Sequence, residues 1–196
     1  MIAQLIERLD AQPDLISVIN TILDDTVALV GADFGDVQLL DESECLVLVA
    51  QRGFQPGFLF GFRRLTKLAK TACMLAAVSR QATIIENVDT DDRYVAYRDA
   101  AAAAGYRAVV SIPLITENQI CVGVVSIHFK WPYRPNPIEI TTLTTYTKFA
   151  ADRINDQISG SCISDVADQL FHTMVGTTRL IIASQMTAAS ASGRRP

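Results

Sequence analysis

The sequence predicts an α+β fold: a central antiparallel sheet, long terminal helices on one of its faces, and a pocket-forming segment on the other. Three observations predict it. Two pairs of strand-like stretches are adjacent in sequence and joined by short polar turns, as antiparallel pairing requires. Apolar stripes at helical spacing lie near both ends of the chain. In the later strand pair, Gly105 to Phe129, one face is wholly apolar and the other carries polar residues among valines, so the two faces have different jobs.

Residues 14–30, "DLISVINTILDDTVALV", space Leu15, Val18, Ile19, Ile22, Leu23, Val27 and Val30 as one helical stripe, with Gly31 at the stop. "GDVQLLDESECLVLVAQRGF" reads as a hairpin with strands near 36–41 and 45–52 around Asp41-Glu42-Ser43. "RRLTKLAKTACMLAAVSRQ" predicts a helix with Leu65, Leu68, Cys73, Ala76 and Ala77 on one side, and "ATIIENV" a short strand. In "DTDDRYVAYRDAAAAAGYR", Asp89 or Thr90 caps a helix that the alanines propagate and Gly105 ends. The second hairpin follows. "NPIEITTLTTYTKFAADRINDQI" predicts a long helix with the stripe Ile138, Leu143, Tyr146, Ala150, Ile154 and Ile158; its threonines are poor helix formers, so packing must hold it. Ser159-Gly160-Ser161 breaks the pattern. A last amphipathic stretch runs through Ile163, Val166, Leu170, Met174, Thr177 and Ile181, and a small polar tail begins near Thr187. The division that results is a leader over 1–13, one domain over 14–157, and a helix with a tail over 158–196.

Of the 196 residues 49% are hydrophobic, enough for one domain with a real core. The net charge is −4 and no Lys/Arg cluster offers a phosphate-tracking face, so nucleic acid is not an expected partner; "GRRP" adds only two positive charges. "MIAQLIERLDAQPDL" lacks a basic leader and a continuous apolar core, and "LIIASQMTAASASG" is too short and polar to span a bilayer. The expectation is a cytoplasmic protein without a membrane segment. Cys45, Cys73, Cys121 and Cys162 lie far apart, without metal-ligand spacing, and are expected as free thiols, with no metal site.

Taken in order, "GADFGDVQLLD", "RGFQPGF", "TACMLA", "IIENVDTDDRY", "AGYRAVVSIPL" and "GVVSIHFKWPYRP" resemble a GAF domain, the small-molecule sensing fold related to PAS, over roughly residues 14–157. The resemblance is to bacterial modules that precede PAS domains and histidine kinases. It implies an unidentified small-molecule ligand, a downstream kinase or regulator as partner, and a homodimer; the cofactor stays open. The chain itself reads as a stand-alone regulator or an excised module. Phytochrome-type members are similar in the Gly-x-Arg matched by Gly105 and Arg107, in a serine where Ser111 lies, and in a histidine where His128 follows Gly123. In them both polar residues face the bilin, so the resemblance implies that Ser111 and His128 face the cavity. A bilin is not implied, because Ala96-Tyr97 replaces the Cys-His pair of many bilin binders. The family's glycines around "TAC" are replaced by Lys70 and Met74.

The candidate ligand-binding residues are Ser111, Ser126, His128, Tyr94, Tyr97, Tyr106 and Cys73. Each has a plainer reading. Val109, Ser111 and Pro113 share a strand face, as do Val122, Val124, Ser126 and His128, which makes that mixed face pocket-like. His128 is a cavity liner, a core histidine bonded to a backbone carbonyl, or a metal or haem ligand. The tyrosines are cavity walls with hydroxyls for a ligand, or ordinary packing at helix ends. The cavity could also be filled by Tyr97, Met74 and Phe129, which would make the domain a structural dimerisation or docking module.

Catalysis is not expected. Free methionine sulfoxide reductases are GAF enzymes with a cysteine near the position of Cys73, but their second cysteine falls in "YRDAAAAAGYR", which has none, so the thiol pair for disulfide chemistry is missing. Cys73 reads as a small buried hydrophobe. His172, in "DQLFHTMVG", is followed by Thr173 rather than a charged partner and reads as an exposed or interface histidine more than a phosphoacceptor. No cyclic-nucleotide signature, GxSxG, HExxH or phosphate-cradling glycine loop occurs.

For assembly, the helices over 15–30, 138–158 and 163–181 are expected on the face opposite the cavity, pairing with a second chain. The first two can cover the sheet, which leaves the last stripe free to associate. The alternatives are that the last helix caps its own domain or belongs with a further domain.

Overall fold

The computed structural model describes residues 1–158 and 160–176. Six strands form one antiparallel sheet in the order β3-β2-β1-β6-β5-β4, with β1 Phe34–Leu40, β2 Leu46–Arg52, β3 Arg64–Leu65, β4 Thr83–Ile85, β5 Ala108–Ile115 and β6 Cys121–Phe129. The two hairpins are β1–β2 and β5–β6, and β1 pairs with β6 to join them. The helices are α1 Ile2–Asp10, α2 Leu15–Val30, α3 Pro56–Phe62, α4 Ala72–Ser79, α5 Arg98–Ala104, α6 Pro137–Ile158 and α7 over 163–176.

Two apolar layers form, one on each sheet face. The first joins Val18, Ile19, Ile22 and Leu23 of α2 and Leu143, Tyr146, Ala150 and Ile154 of α6 to Val37, Val110, Ile112, Val125 and Ile127 of the sheet. The second packs α3, α4 and α5 on Leu46, Leu48, Val109 and Val124. α2 forms where its caps say: the Asp14 side chain accepts from the Ser17 amide, and Gly31 takes the left-handed conformation at φ 63°. α6 starts at a reciprocal capping box, in which the Glu139 amide donates to Asn136 Oδ1 and the Asn136 amide donates to Glu139 Oε2.

Residues 1–13 contain α1, whose Leu9 is fully buried and whose Arg8 pairs with the buried Asp25. Asp25 also accepts from Tyr146 Oη at 2.5 Å, so one carboxylate ties α1, α2 and α6 together. Several expectations are corrected. The helix expected over 63–81 is instead β3, an irregular segment, and α4 alone. Thr71 is its true N-cap, its hydroxyl accepting from the Met74 amide, and Leu68 points into solvent at 90% exposure. A 3-10 turn over Asp92–Tyr97 capped by Asp91, rather than a helix capped by Asp89 or Thr90, precedes α5. Ile138 is 77% exposed and leaves the α6 stripe. Pairing shifts between Leu114 and Ile115, so Val122 bulges into the α2–α6 layer instead of facing His128's side.

The premise for the last helix also fails. α7 buries Ile163, Ala167 and Phe171 against its own chain. Ile163 and Ala167 join the α2–α6 layer and Phe171 joins the opposite one, so α7 passes beside the β2–β3 edge from one layer to the other. Its start is fixed on the β1–β2 turn: the Ile163 amide donates to Glu42 Oε1 at 2.6 Å and the Ser164 hydroxyl to Oε2 at 3.0 Å. His172 is exposed on this helix. The expectations for Thr177, Ile181 and the tail lie outside the described residues.

Two predictions follow from packing and from this contact. A Cβ on Gly123 would meet the Gln38 carbonyl oxygen at 2.3 Å and the Leu39 Cα at 3.0 Å. Both are backbone and cannot give way, so Gly123→Ala should cost about 3 kcal/mol in urea denaturation. Glu42 is held down to about 2 from its ordinary 4.5, first by its own backbone amide and then by that of Ile163. A lowered carboxylate stabilises the fold above its unfolded value and loses that contribution as pH falls through its folded one. The stability gap between wild type and Glu42→Gln should therefore be full above pH 4.5 and close as the pH falls towards about 2.

Candidate functional site

Directly opposed residues on neighbouring strands place their side chains on the same sheet face. Across four strands that rule sets up one polar rung: Asp36 of β1 faces Ser126 of β6, Ser126 faces Ser111 of β5, and Ser111 faces Thr83 of β4. All four are buried, on the side away from α2 and α6. Two residues along each strand, the next rung on that face runs Phe34, His128, Val109 and Ile85. Strand alternation thus puts His128 beside Asp36.

The polar groups pair within this rung and across it. His128 Nε2 lies 2.9 Å from Asp36 Oδ1, and both side chains are about 95% buried, at 4% and 5% exposure. The Ser111 and Ser126 hydroxyls are 2.8 Å apart. Above them the Tyr94 and Tyr106 hydroxyls are 3.0 Å apart, and the Thr71 hydroxyl sits 3.1 Å from Cys73 Sγ. Among the groups lining this cluster His128 Nδ1 is buried without a hydrogen-bond partner, as is Gln38 Oε1 further along the same face of β1. Burial pushes the Cys73 thiol up to about 12, and the charge of Asp36 adds to the effect. Burial likewise raises the Tyr94 and Tyr106 phenols. The cluster therefore has one carboxylate, one orphaned imidazole nitrogen and several neutral hydroxyls, in surroundings of low polarity.

An aromatic stack roofs it. Phe34, Phe54, Phe58 and Phe62 stack in sequence, with centroids 5.0, 3.7 and 4.3 Å apart. Phe54, Phe58 and Tyr106 present edges to the His128 ring at 5.0, 6.0 and 4.6 Å. The void these groups leave, lined by Asp36, Phe58, Phe62, Cys73, Ser111, Ser126 and His128 among others, measures about 10 Å³, room for about one water molecule. On the far side of Phe58 and Phe62 an open groove of about 180 Å³ runs between α3 and α5, floored by Gly57, Gly61, Ala100, Ala103 and Ala104. Larger grooves flank Arg80 on the outer surface, where Lys67 pairs with Glu44 and Arg80 donates to the Gln119 carbonyl.

Of the sequence candidates, Ser111, Ser126, His128, Cys73 and Tyr94 line the void, and Tyr106 packs on His128 behind it. Tyr97 lies outside this set: its hydroxyl accepts from the Lys70 amide and its ring leans on Tyr94 at 5.7 Å. Met74 packs in the same layer, whereas Phe129 stacks on Tyr133 on the opposite face and fills nothing here. Sequence reasoning missed Asp36, Phe58 and Phe62. Asp36 could have been found from its parity with Gln38 in an otherwise apolar strand, and the rings from the spacing of Phe54, Phe58 and Phe62. Among the described residues no group of three or more His, Cys, Asp or Glu side chains could hold a metal, and no helix is long and apolar enough to cross a membrane.

Removing one partner of a buried pair strands the other. Asp36→Ala should cost about 3 kcal/mol in urea denaturation, and the double replacement Asp36→Leu with His128→Phe much less. Equal losses would mean that the pair itself stabilises the fold.

The family model for the GAF domain matches residues 14–154. The fold is similar to the GAF domain of a phosphoenolpyruvate-protein phosphotransferase from Coxiella burnetii, with a TM-score of 0.69 at 17% identity over 81% of this chain and 92% of that one. A domain of a putative two-component sensor histidine kinase from Sinorhizobium meliloti gives 0.60 at 19% identity, over 74% and 94%. The free methionine-R-sulfoxide reductase of Neisseria meningitidis, solved with its substrate, gives 0.65 at 16% identity, over 81% and 88%. No curated protein sequence matches the chain.

Proposed function

The chain belongs to the GAF domain family, and from that premise we propose that it is a non-enzymatic sensory module of the cytoplasm that takes a small molecule into the cavity between its sheet and α3. GAF domains are commonly sensory or regulatory ligand-binding modules. The observation that carries the reading is His128 Nδ1, a buried polar atom left without a partner in a cluster whose other members pair. In the neutral tautomer whose Nε2–H donates to the Asp36 carboxylate, Nδ1 is an acceptor. The matching ligand has a flat apolar body, to take the place of Phe58 and Phe62, and one N–H or O–H to donate to Nδ1. Ser111, Ser126, Tyr94 and Tyr106 complete the walls, and Cys73 is a wall residue rather than a nucleophile. It is the only cysteine lining the void, so thiol–disulfide chemistry there has no resolving partner.

The output we propose is a shift in a homodimer that reports to a downstream kinase or regulator. The surface for it is the helical layer of α2 and α6, where Ile16, Ile138 and Phe149 are exposed. A second reading rests on the 10 Å³ void: a cavity already filled by its own rings suits a docking module without a ligand.

Native mass spectrometry of the full chain, with thermal shifts against a set of small phenols, indoles and related donors, separates the two. A ligand at a hundredfold excess over its Kd should raise the Tm by about 5–10 °C, and His128→Ala should abolish the shift while the fold persists. No retained mass and no shift from any compound would leave the docking module.

A further inference from the structure

α3 is held from two sides. On its inner side Phe58 and Phe62 separate the buried polar void from the open α3–α5 groove, and both rings line both spaces. On its outer side it is gripped by α7. The Phe60 ring meets the edge of Phe171 with centroids 5.5 Å apart. The Arg63 guanidinium lies 4.6 Å over the Phe171 ring and donates from Nη2 to Asp168 Oδ1 at 2.9 Å. Phe171 is itself buried in the α3 layer, at 2% exposure. We infer that α3 is the gate of the cavity and that the C-terminal helix α7 is the latch that holds it shut.

The local build suits a gate. The seam between α3 and α5 is made of Gly57, Gly61 and alanines, and a Cβ on either glycine would meet nothing within 4 Å, so the two helices do not interlock. The segment leaves β2 through Gly53 at φ +88°, a conformation open to glycine and rarely to other residues. At the far end α3 is tied to the sheet, where Gln38 Nε2 donates to the Phe62 carbonyl and the Leu48 amide to that of Arg63. A swing about the tied end moves Phe58 out of the cavity, and Phe60 moves with it because both ride on one short helix. α7 meets the moving part of the gate at Phe60, clasps its tied end at Arg63, and is pinned to the β1–β2 turn through Glu42, so it resists that swing. The inference rests on the cavity as the ligand site: a molecule that displaces Phe58 and Phe62 must weaken the α7 grip, and by reciprocity a loosened α7 must ease access to the cavity.

Cys73 is a built-in reporter, because it lines the void behind Phe58 and Phe62 and is buried there, at 6% exposure, so opening the gate would raise its access to solvent. The experiment is alkylation of the full chain by iodoacetamide at constant pH, read cysteine by cysteine by mass spectrometry. Phe171→Ala should raise the Cys73 rate about tenfold and Asp168→Ala about threefold, as population of an open state rises without global unfolding. Cys45, buried at the β1–β2 turn away from the void, should keep its rate. Asp168 is exposed, so its variant keeps the test available if Phe171→Ala fails to fold. An unchanged Cys73 rate in the folded variants overturns the inference, and so does an equal rise at Cys45, which would make α7 a general brace. The labelling needs no ligand, so its outcome is independent of whether a molecule is retained in the native spectrum.

Discussion

The alternation of side chains along β6 is the constraint on which the remaining elements depend. β6 lies inside the sheet between β1 and β5, so its parity is imposed on both neighbours through two ladders. Val125 and Ile127 point to α2 and α6, while Val124, Ser126 and His128 point to α3 and α4. A slip of one residue would bury Ser126 and His128 under α6 and turn the valines to the cavity. Gly123 guards against it: the β1 backbone passes so close that only a residue without Cβ fits opposite Leu39. Correct pairing at Gly123 therefore fixes what stands at 126 and 128.

Each layer then carries a buried carboxylate, Asp25 in one and Asp36 in the other, and these two are used differently. On the helical side Asp25 is saturated by Arg8 and Tyr146 and joins three helices. On the other side Asp36 holds His128 and leaves Nδ1 unpaired. A buried polar cluster is justified by stability only when it is fully satisfied. The first meets that condition. The second stops one hydrogen bond short, under aromatic rings that could be moved. That difference separates a fully paired brace from the unsatisfied cluster on which the proposed ligand site rests.

Much of this was legible in the chain. Ser111, Ser126 and His128 could be assigned to one face because strand parity is a period of two, which even an eight- or nine-residue strand states clearly. Asp36 is equally periodic, but as the first residue of the strand expected near 36–41, beside the turn-like "GADFG", it reads as strand-end polarity rather than as a partner for His128. α3 escaped because seven residues with two glycines give too few positions for a helical period to show. The opposite error joined 63–81 into one helix on the strength of Leu65 and Leu68, although Thr71 offered a cap. The amphipathic nature of α7 was also readable. Its destination was not, because an apolar stripe states that something covers it and not what. The residues that settle the matter, Arg63, Phe60 and Glu42, are remote in sequence and individually unremarkable.

The position of α7 also bears on what the sheet does with its open border. β3 is only two residues long, so beyond Val47 the outer side of β2, away from β1, has no strand beside it. A strand left in that state is a template for backbone pairing with another polypeptide, and proteins protect such strands with short neighbours, charges or a covering helix. Here the covering helix is α7, whose Ala167 and Asp168 flank Val47 and Leu48. A chain ending before residue 163 would bare that strand, and its self-association would then reflect exposed β-edge rather than any designed contact between helices.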